Sequence, residues 1–145
     1  MKYLLDTNIL SEPVKPDPDS SVMRKLSRHR TALATASVVW HELHYGCERL
    51  PPSNKRNRLE SYLAEVIQTS VPILSYDESA AAWHARERAR LTMRGMMPPH
   101  ADGQIAAIAC VNSLILVTRN TRDFECFAGL KLENWFEVKA KRQKK

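Results

Sequence analysis

Short segments that are apolar on both faces, separated by longer stretches with helical periodicity, constrain this chain more than any other feature of its sequence. Residues 2–5 read as a short buried strand ended by Asp6, and Ala32–Ala36, Val71–Tyr76 and Leu114–Val117 read as further strands. Between them, Asp19-Ser20-Ser21 supply cap chemistry for a helix over about 20–30, and Ser37 is positioned to cap a helix striped by Val39, Leu43, Gly46 and Leu50. Pro51-Pro52 stops that helix, Leu59, Tyr62, Leu63 and Val66 repeat the spacing in the next, and Asp77 precedes an Ala-rich helix. Gly95, Pro98 and Pro99 mark Thr92–His100 as a loop, after which Ile105, Ile108 and Ala109 stripe a helix over Asp102–Val111. Strands with no solvent face, alternating with helices, predict an α/β fold in which a mainly parallel sheet lies between two helical layers. Ligands of such sheets sit at the carboxyl ends of the strands, beside a topological switch point, so that is where chemistry is expected.

A chain of 145 residues with 43% hydrophobic residues can bury one core without disulfides or structural zinc. Cys47, Cys110 and Cys126 form no CxxC spacing and suit a reducing compartment. The uncharged run Gly103–Thr118 is interrupted by Gln104, Asn112 and Ser113 and is too short to span a bilayer. Three apolar residues between Lys2 and Asp6 are too few for a secretory leader, so the expected address is the cytoplasm. Of the net charge of +6, the last eight residues carry +5, leaving +1 on the body. The division expected is therefore a folded domain over 1–137 and a basic flexible tail over 138–145. Basic clusters on the body, including Arg86, Arg88, Arg90 and Arg94, then Arg119 and Arg122, are compatible with a phosphate-binding face.

Four carboxylates stand at the ends of strands or the starts of helices. Asp6 closes the first strand in LLDTN, and Asp123 follows the last strand in TRNTRDF. Glu42 lies one step round from the Val39 and Leu43 stripe, a position expected to run along the edge of the core, and Asp102 opens its own helix. Each alone has an ordinary explanation, as a turn former or an acid favoured by a helix dipole. If all four converge in one crevice, their repulsion destabilises the fold unless a cation joins them. Oxygen ligands without nearby His or Cys select Mg²⁺, with Mn²⁺ as a substitute, and such an ion is usual apparatus for phosphodiester chemistry.

The runs LLDTNILSE, SVVWHELHYG, HADGQIAAIA and LVTRNTRDFE resemble, in order and spacing, the successive acidic motifs of PIN-domain proteins, in particular VapC-type toxins of toxin–antitoxin pairs and their FitB-like relatives. The likeness runs from Met1 to about Trp135, with Trp40 standing where the family often carries Thr or Ser. It implies a PIN-like three-layer α/β/α sandwich and a Mg²⁺-dependent endoribonuclease whose products end in 5′-phosphate and 3′-hydroxyl. On the matching positions it assigns Asp6, Glu42, Asp102 and Asp123 as catalytic acids and metal ligands, with Asn8, Thr118 and Asn120 positioning ligands or substrate. It also implies an RNA substrate, a cognate small VapB-like antitoxin and a homodimer, with no membrane partner.

Two other readings compete. A phosphohydrolase with an aspartyl nucleophile needs a second acid two residues after the first, where this chain has Asn8. A catalytically silent PIN-like module that binds RNA or protein is the alternative within the family, and the presence of all four acids favours an active enzyme over it. For the antitoxin, an apolar seat is expected from Trp40, Leu43 and Leu50 together with the Leu59–Val66 helix, residues that equally suit a core.

Overall fold

The computed structural model describes residues 1–137. The expected basic tail, 138–145, lies outside the described residues.

Five strands, β1 (Tyr3–Leu5), β2 (Leu33–Ala36), β3 (Ile73–Leu74), β4 (Ile115–Val117) and β5 (Leu132–Glu133), form one sheet in the order β3-β2-β1-β4-β5, and every pairing is parallel. Successive residues of a strand point to opposite faces, and all of Tyr3–Leu5 and Leu33–Ala36 are buried, so both faces of the sheet are covered. This is the three-layer α/β/α arrangement expected from the apolar runs. The chain moves outward from β1 through β2 to β3, then returns to the other side of β1 to lay down β4. The switch point therefore falls between β1 and β4, whose register pairs Leu5 with Val117 and so sets Asp6 beside Thr118.

The helices are α1 (Thr7–Leu10), α2 (Ser20–Arg28), α3 (Ser37–Glu48), α4 (Asn54–Ser61), α5 (Gln68–Ser70), α6 (Glu78–Met93), α7 (His100–Val111) and α8 (Thr121–Phe124). Asp19 and Asp77 cap α2 and α6 as their positions predict, accepting from the backbone N–H of Val22 at 3.0 Å and of Ala80 at 2.9 Å. Ser37 does not cap α3. It is the first helical residue, and the cap position falls on Ala36, because the chain passes from β2 into α3 with no linker, so the last residue of the strand is also the cap.

Other differences from the sequence reading are local. The strand expected over Val71–Tyr76 shrinks to Ile73–Leu74, at the sheet edge where it has a single neighbour. The helix expected through Leu59–Val66 changes character: Tyr62–Ile67 is a π-helical turn between α4 and α5. The wider turn carries the buried position on from Leu63 to Ile67 and leaves Val66 50% exposed. The Tyr62 hydroxyl donates to the Leu10 carbonyl at 2.7 Å, tying this turn to the end of α1. The apolar seat expected around it is mostly core: Leu43 and Leu63 are buried, and Trp40 and Leu59 pack against the core. No helix among the described residues is long and apolar enough to cross a membrane.

Candidate active site

Asp6 sits where β1 ends, and its carboxylate is held from two sides. Its Oδ1 caps α1 by accepting from the Thr7 N–H at 2.8 Å, and its Oδ2 accepts from the Thr118 hydroxyl at 2.7 Å. Thr118 is fully buried at the end of β4, and its oxygen in turn accepts from the Asn8 amide at 3.4 Å and the Asn120 N–H at 3.1 Å. A hydroxyl has one proton to give and two lone pairs to fill. Both lone pairs are taken, so the proton is directed at Asp6. The Asn8 side-chain oxygen closes the ring by accepting from the Arg119 N–H at 3.1 Å. Asn8, Thr118 and Asn120 thus form a brace between the two strands flanking the switch point, with Asp6 at its centre.

Asp102 reaches the same place from the first turn of α7, and Asp123 from α8. The three aspartates share one electrostatic field. Asp6 is raised above the usual carboxylate range, first by burial and against the two hydrogen bonds that hold it, with Asp123 adding to the rise. Asp102 is pushed up to about 6, first by burial and then by the charges of Asp6 and Asp123. Asp102 and Asp123 line an open depression of about 410 Å³ together with Arg122, Cys126 and the loop Met96–Pro99.

Glu42 stands apart. α3 meets the core through Val39, Leu43 and Cys47, so Glu42, about 100° round from Leu43, turns outward. Its side chain is 48% exposed and lies 3.8 Å from the His41 ring, and its charge contributes to the shift of neither Asp6 nor Asp102. The expectation that it runs along the core edge is thereby corrected, because the buried stripe of α3 is narrower than the sequence allowed. Among the described residues, no three acidic, His or Cys side chains are gathered at metal-ligand spacing.

Two neighbours of this site carry weight that the sequence reading did not give them. Arg122 was visible only as a member of a basic cluster, and its place beside the aspartates depends on the turn of α8. His84 on α6 is 4% exposed, its Nδ1 2.8 Å from the Tyr76 hydroxyl and its ring 4.8 Å from that of His100. Burial, then the nearby His100 and Arg88, lower its pKa. The available signal was Gly103, directly after Asp102: a Cβ there would stand 2.2 Å from His84 Nε2.

Fold and site together define an α/β domain with an acidic centre at the switch point of a parallel sheet. The profile of the PIN domain matches residues 3–130, and the chain belongs to the PIN-domain family. It is 33% identical over 136 residues to the tRNA(fMet)-specific endonuclease VapC of Shigella flexneri, covering 93% of this chain and 98% of that one. To the toxin FitB of Neisseria gonorrhoeae it is 36% identical over 124 residues, 83% of this chain and 89% of the other. The crystal structure of DNA-bound VapBC from Salmonella typhimurium contains a chain that superposes with a TM-score of 0.82 at 29% identity, covering 93% of this chain and 98% of that one.

Proposed function

We propose that this protein is a divalent-metal-dependent endoribonuclease, the toxin of a toxin–antitoxin pair acting in the cytoplasm, and that Asp6, Asp102 and Asp123 are the centre of its active site. The observation that carries the reading is the gathering of three aspartates in one field at the switch point, where burial first and the charges of Asp6 and Asp123 second push Asp102 up to about 6. The ribonuclease and toxin relatives at about a third identity over most of the chain support it independently.

The donor set fits a hard cation. Aspartate oxygens that repel one another and are partly buried are stabilised when a divalent ion joins them, and oxygen-only ligands favour Mg²⁺, with Mn²⁺ as substitute. Magnesium retains several waters and needs few carboxylates, so an open half-shell of aspartates is compatible with it. When bound, such an ion supplies polarisation of the phosphate and acidification of a water. The chain's own contribution is positional. Thr118, braced by Asn8 and Asn120, fixes the orientation of Asp6 before any ligand arrives. Asp102 and Asp123 complete a negative floor, and Arg122 on the same depression offsets the charge of an incoming phosphate. Glu42 faces His41 in this structure and is assigned to the set on its motif position alone.

The test is cleavage of a mixed RNA substrate with and without Mg²⁺ or Mn²⁺, using Asp6→Asn and Asp102→Asn as controls. Metal-dependent endonucleolytic products ending in 5′-phosphate, absent for both variants and after chelation, are expected. RNA binding without cleavage at any metal concentration refutes the enzyme and leaves the silent module.

The partners proposed are a small VapB-like antitoxin and a second copy of the chain. Growth arrest on expression, absent for Asp6→Asn and relieved by the neighbouring small gene, checks the first. A solution mass near 16.6 kDa at micromolar concentration refutes the second. For the basic tail, 138–145, we propose sequence-independent phosphate contacts. Truncation after Glu137 then weakens RNA binding at low salt and flattens its salt dependence without changing the saturated cleavage rate.

A further inference from the structure

Beside the acidic depression, and sharing Met96–Pro99 with it as a common wall, lies a second cavity of about 370 Å³. Its other walls come from α6, from His100 at the head of α7 and from Phe127. The His84 ring is set between Gly103, which has no side chain to displace it, and the Tyr76 hydroxyl, so this wall is fixed in advance of any ligand. The His100 ring stands against it at 4.8 Å, two positions before Asp102 on the same helical turn. Leu91 and Pro98 make the rest apolar, and Arg88 places a cation on the α6 side.

A mostly apolar slot with the exposed ring of His100 backed by the buried His84, one guanidinium and a shared wall with the acidic site has the chemistry of a nucleobase receptor. Unstacked RNA bases are held by stacking on aromatic rings, His included, and on guanidinium planes. The volume falls within the range of small-ligand sites. Methionines at the shared wall give it adaptable, polarisable surface. Arg88 in the slot and Arg122 in the depression flank the shared wall, a charge arrangement suited to a polyanion passing from one cavity to the other. A purely apolar protein segment leaves both cations unmatched.

We propose that this slot receives one base of a single-stranded RNA, the base adjoining the phosphate held at the aspartates. The proposal rests on the reading of the chain as an RNA-cleaving enzyme and adds where its substrate selectivity resides. Preference for one base over another then depends on His100 and Arg88, with His84 holding the His100 ring from behind, and none of the three is among the acids of the site.

The experiment measures binding in metal-free buffer, so that no cleavage is required. The probe is a ten-nucleotide single-stranded RNA, intact or carrying one abasic ribose at each position in turn, read by fluorescence anisotropy. One abasic position is expected to weaken binding to the wild-type protein about 5- to 150-fold, the range for one stacked base. Thr92→Trp, at an exposed position in the last turn of α6 on the cavity wall, fills the slot. It is expected to weaken the intact probe by a similar factor and to abolish sensitivity to that abasic position. A flat scan on wild-type protein, or no binding at all, overturns the proposal without reliance on any variant. An unchanged affinity of Thr92→Trp together with a reduced solution mass also overturns it, and assigns the face to contact between copies. Position-specific binding without Mg²⁺-dependent cleavage retains the slot and removes the nuclease reading; cleavage with a flat scan does the reverse.

Discussion

Replacing Asp102 by Asn tests the electrostatic account of the site more sharply than a loss of activity can. With a carboxyl pushed up to about 6 from an ordinary value of 3.8, the ionised group opposes folding. A carboxylate raised in the folded state leaves stability intact at acid pH and withdraws it as pH rises through the folded value. Roughly two units correspond to a ceiling of about 3 kcal/mol at pH 7. Asp102 is only partly buried, so solvent screening reduces this to about 1–2 kcal/mol. Asn keeps the shape and removes the charge. In chelator at pH 7 the Asn variant is therefore expected to melt about 3–8 °C above wild type, and at pH 4 the two are expected to coincide. Addition of Mg²⁺ should reverse the order, because only wild type gains fully from a ligand of the folded state, on the order of 2.7 kcal/mol at a hundredfold excess over Kd. Melts by circular dichroism at both pH values, with a Mg²⁺ titration, carry the whole prediction. An Asn variant that melts at or below wild type in chelator at pH 7 would falsify the claim that burial and the neighbouring aspartates together destabilise ionised Asp102.

Thr118→Val removes the proton directed at Asp6 and strands the Asn8 and Asn120 donors, so a loss of about 1–3 kcal/mol is expected in chemical denaturation, with most of it restored in Thr118→Ser. Gly103→Ala drives a methyl into His84 and is expected to cost about 1–3 kcal/mol; His84→Ala should relieve that cost when combined with it, and simple additivity of the two losses would contradict the contact. Glu87 is buried and held below the usual carboxylate range first by its hydrogen bond from Arg90 and then by the Ala128 N–H. A lowered carboxylate contributes stability above its unfolded value and loses it as pH falls through the folded one, so Glu87→Gln should shrink the stability difference between pH 7 and pH 3, and an unchanged acid transition would refute the pairing.

The central strands and the acids at their ends were legible because both are written locally: three consecutive apolar residues with no solvent face, then Asp6, and a similar run before Thr118. Sheet order was not written there, since nothing within β1 records that β4, and not β3, lies beside it. The two-residue strands β3 and β5 and the single-turn α1 and α8 are too short to show a period, and they owe their form to the neighbours they pair with. Glu42 illustrates the limit for sites. Its place in a motif was clear, while its outward direction depends on how narrow a stripe of α3 the sheet covers. The slot beside the aspartates was hidden for a similar reason, because Arg88, His84 and Phe127 meet only after α6 and the segment following α8 have packed.

Asp6 and Thr118, the pair at the centre of the brace, are 112 residues apart in the chain. During synthesis the strand bearing Asp6 leaves the ribosome first, and the strand that orients it is among the last elements to emerge. The residues between them must be threaded, folded and laid across the sheet before the acidic centre exists. A nascent or truncated chain that stops short of β4 thus carries Asp6 without the buried hydroxyl that orients it. Premature termination yields an unarmed product, and the interval before completion gives a co-synthesised partner time to be present when the last strand docks.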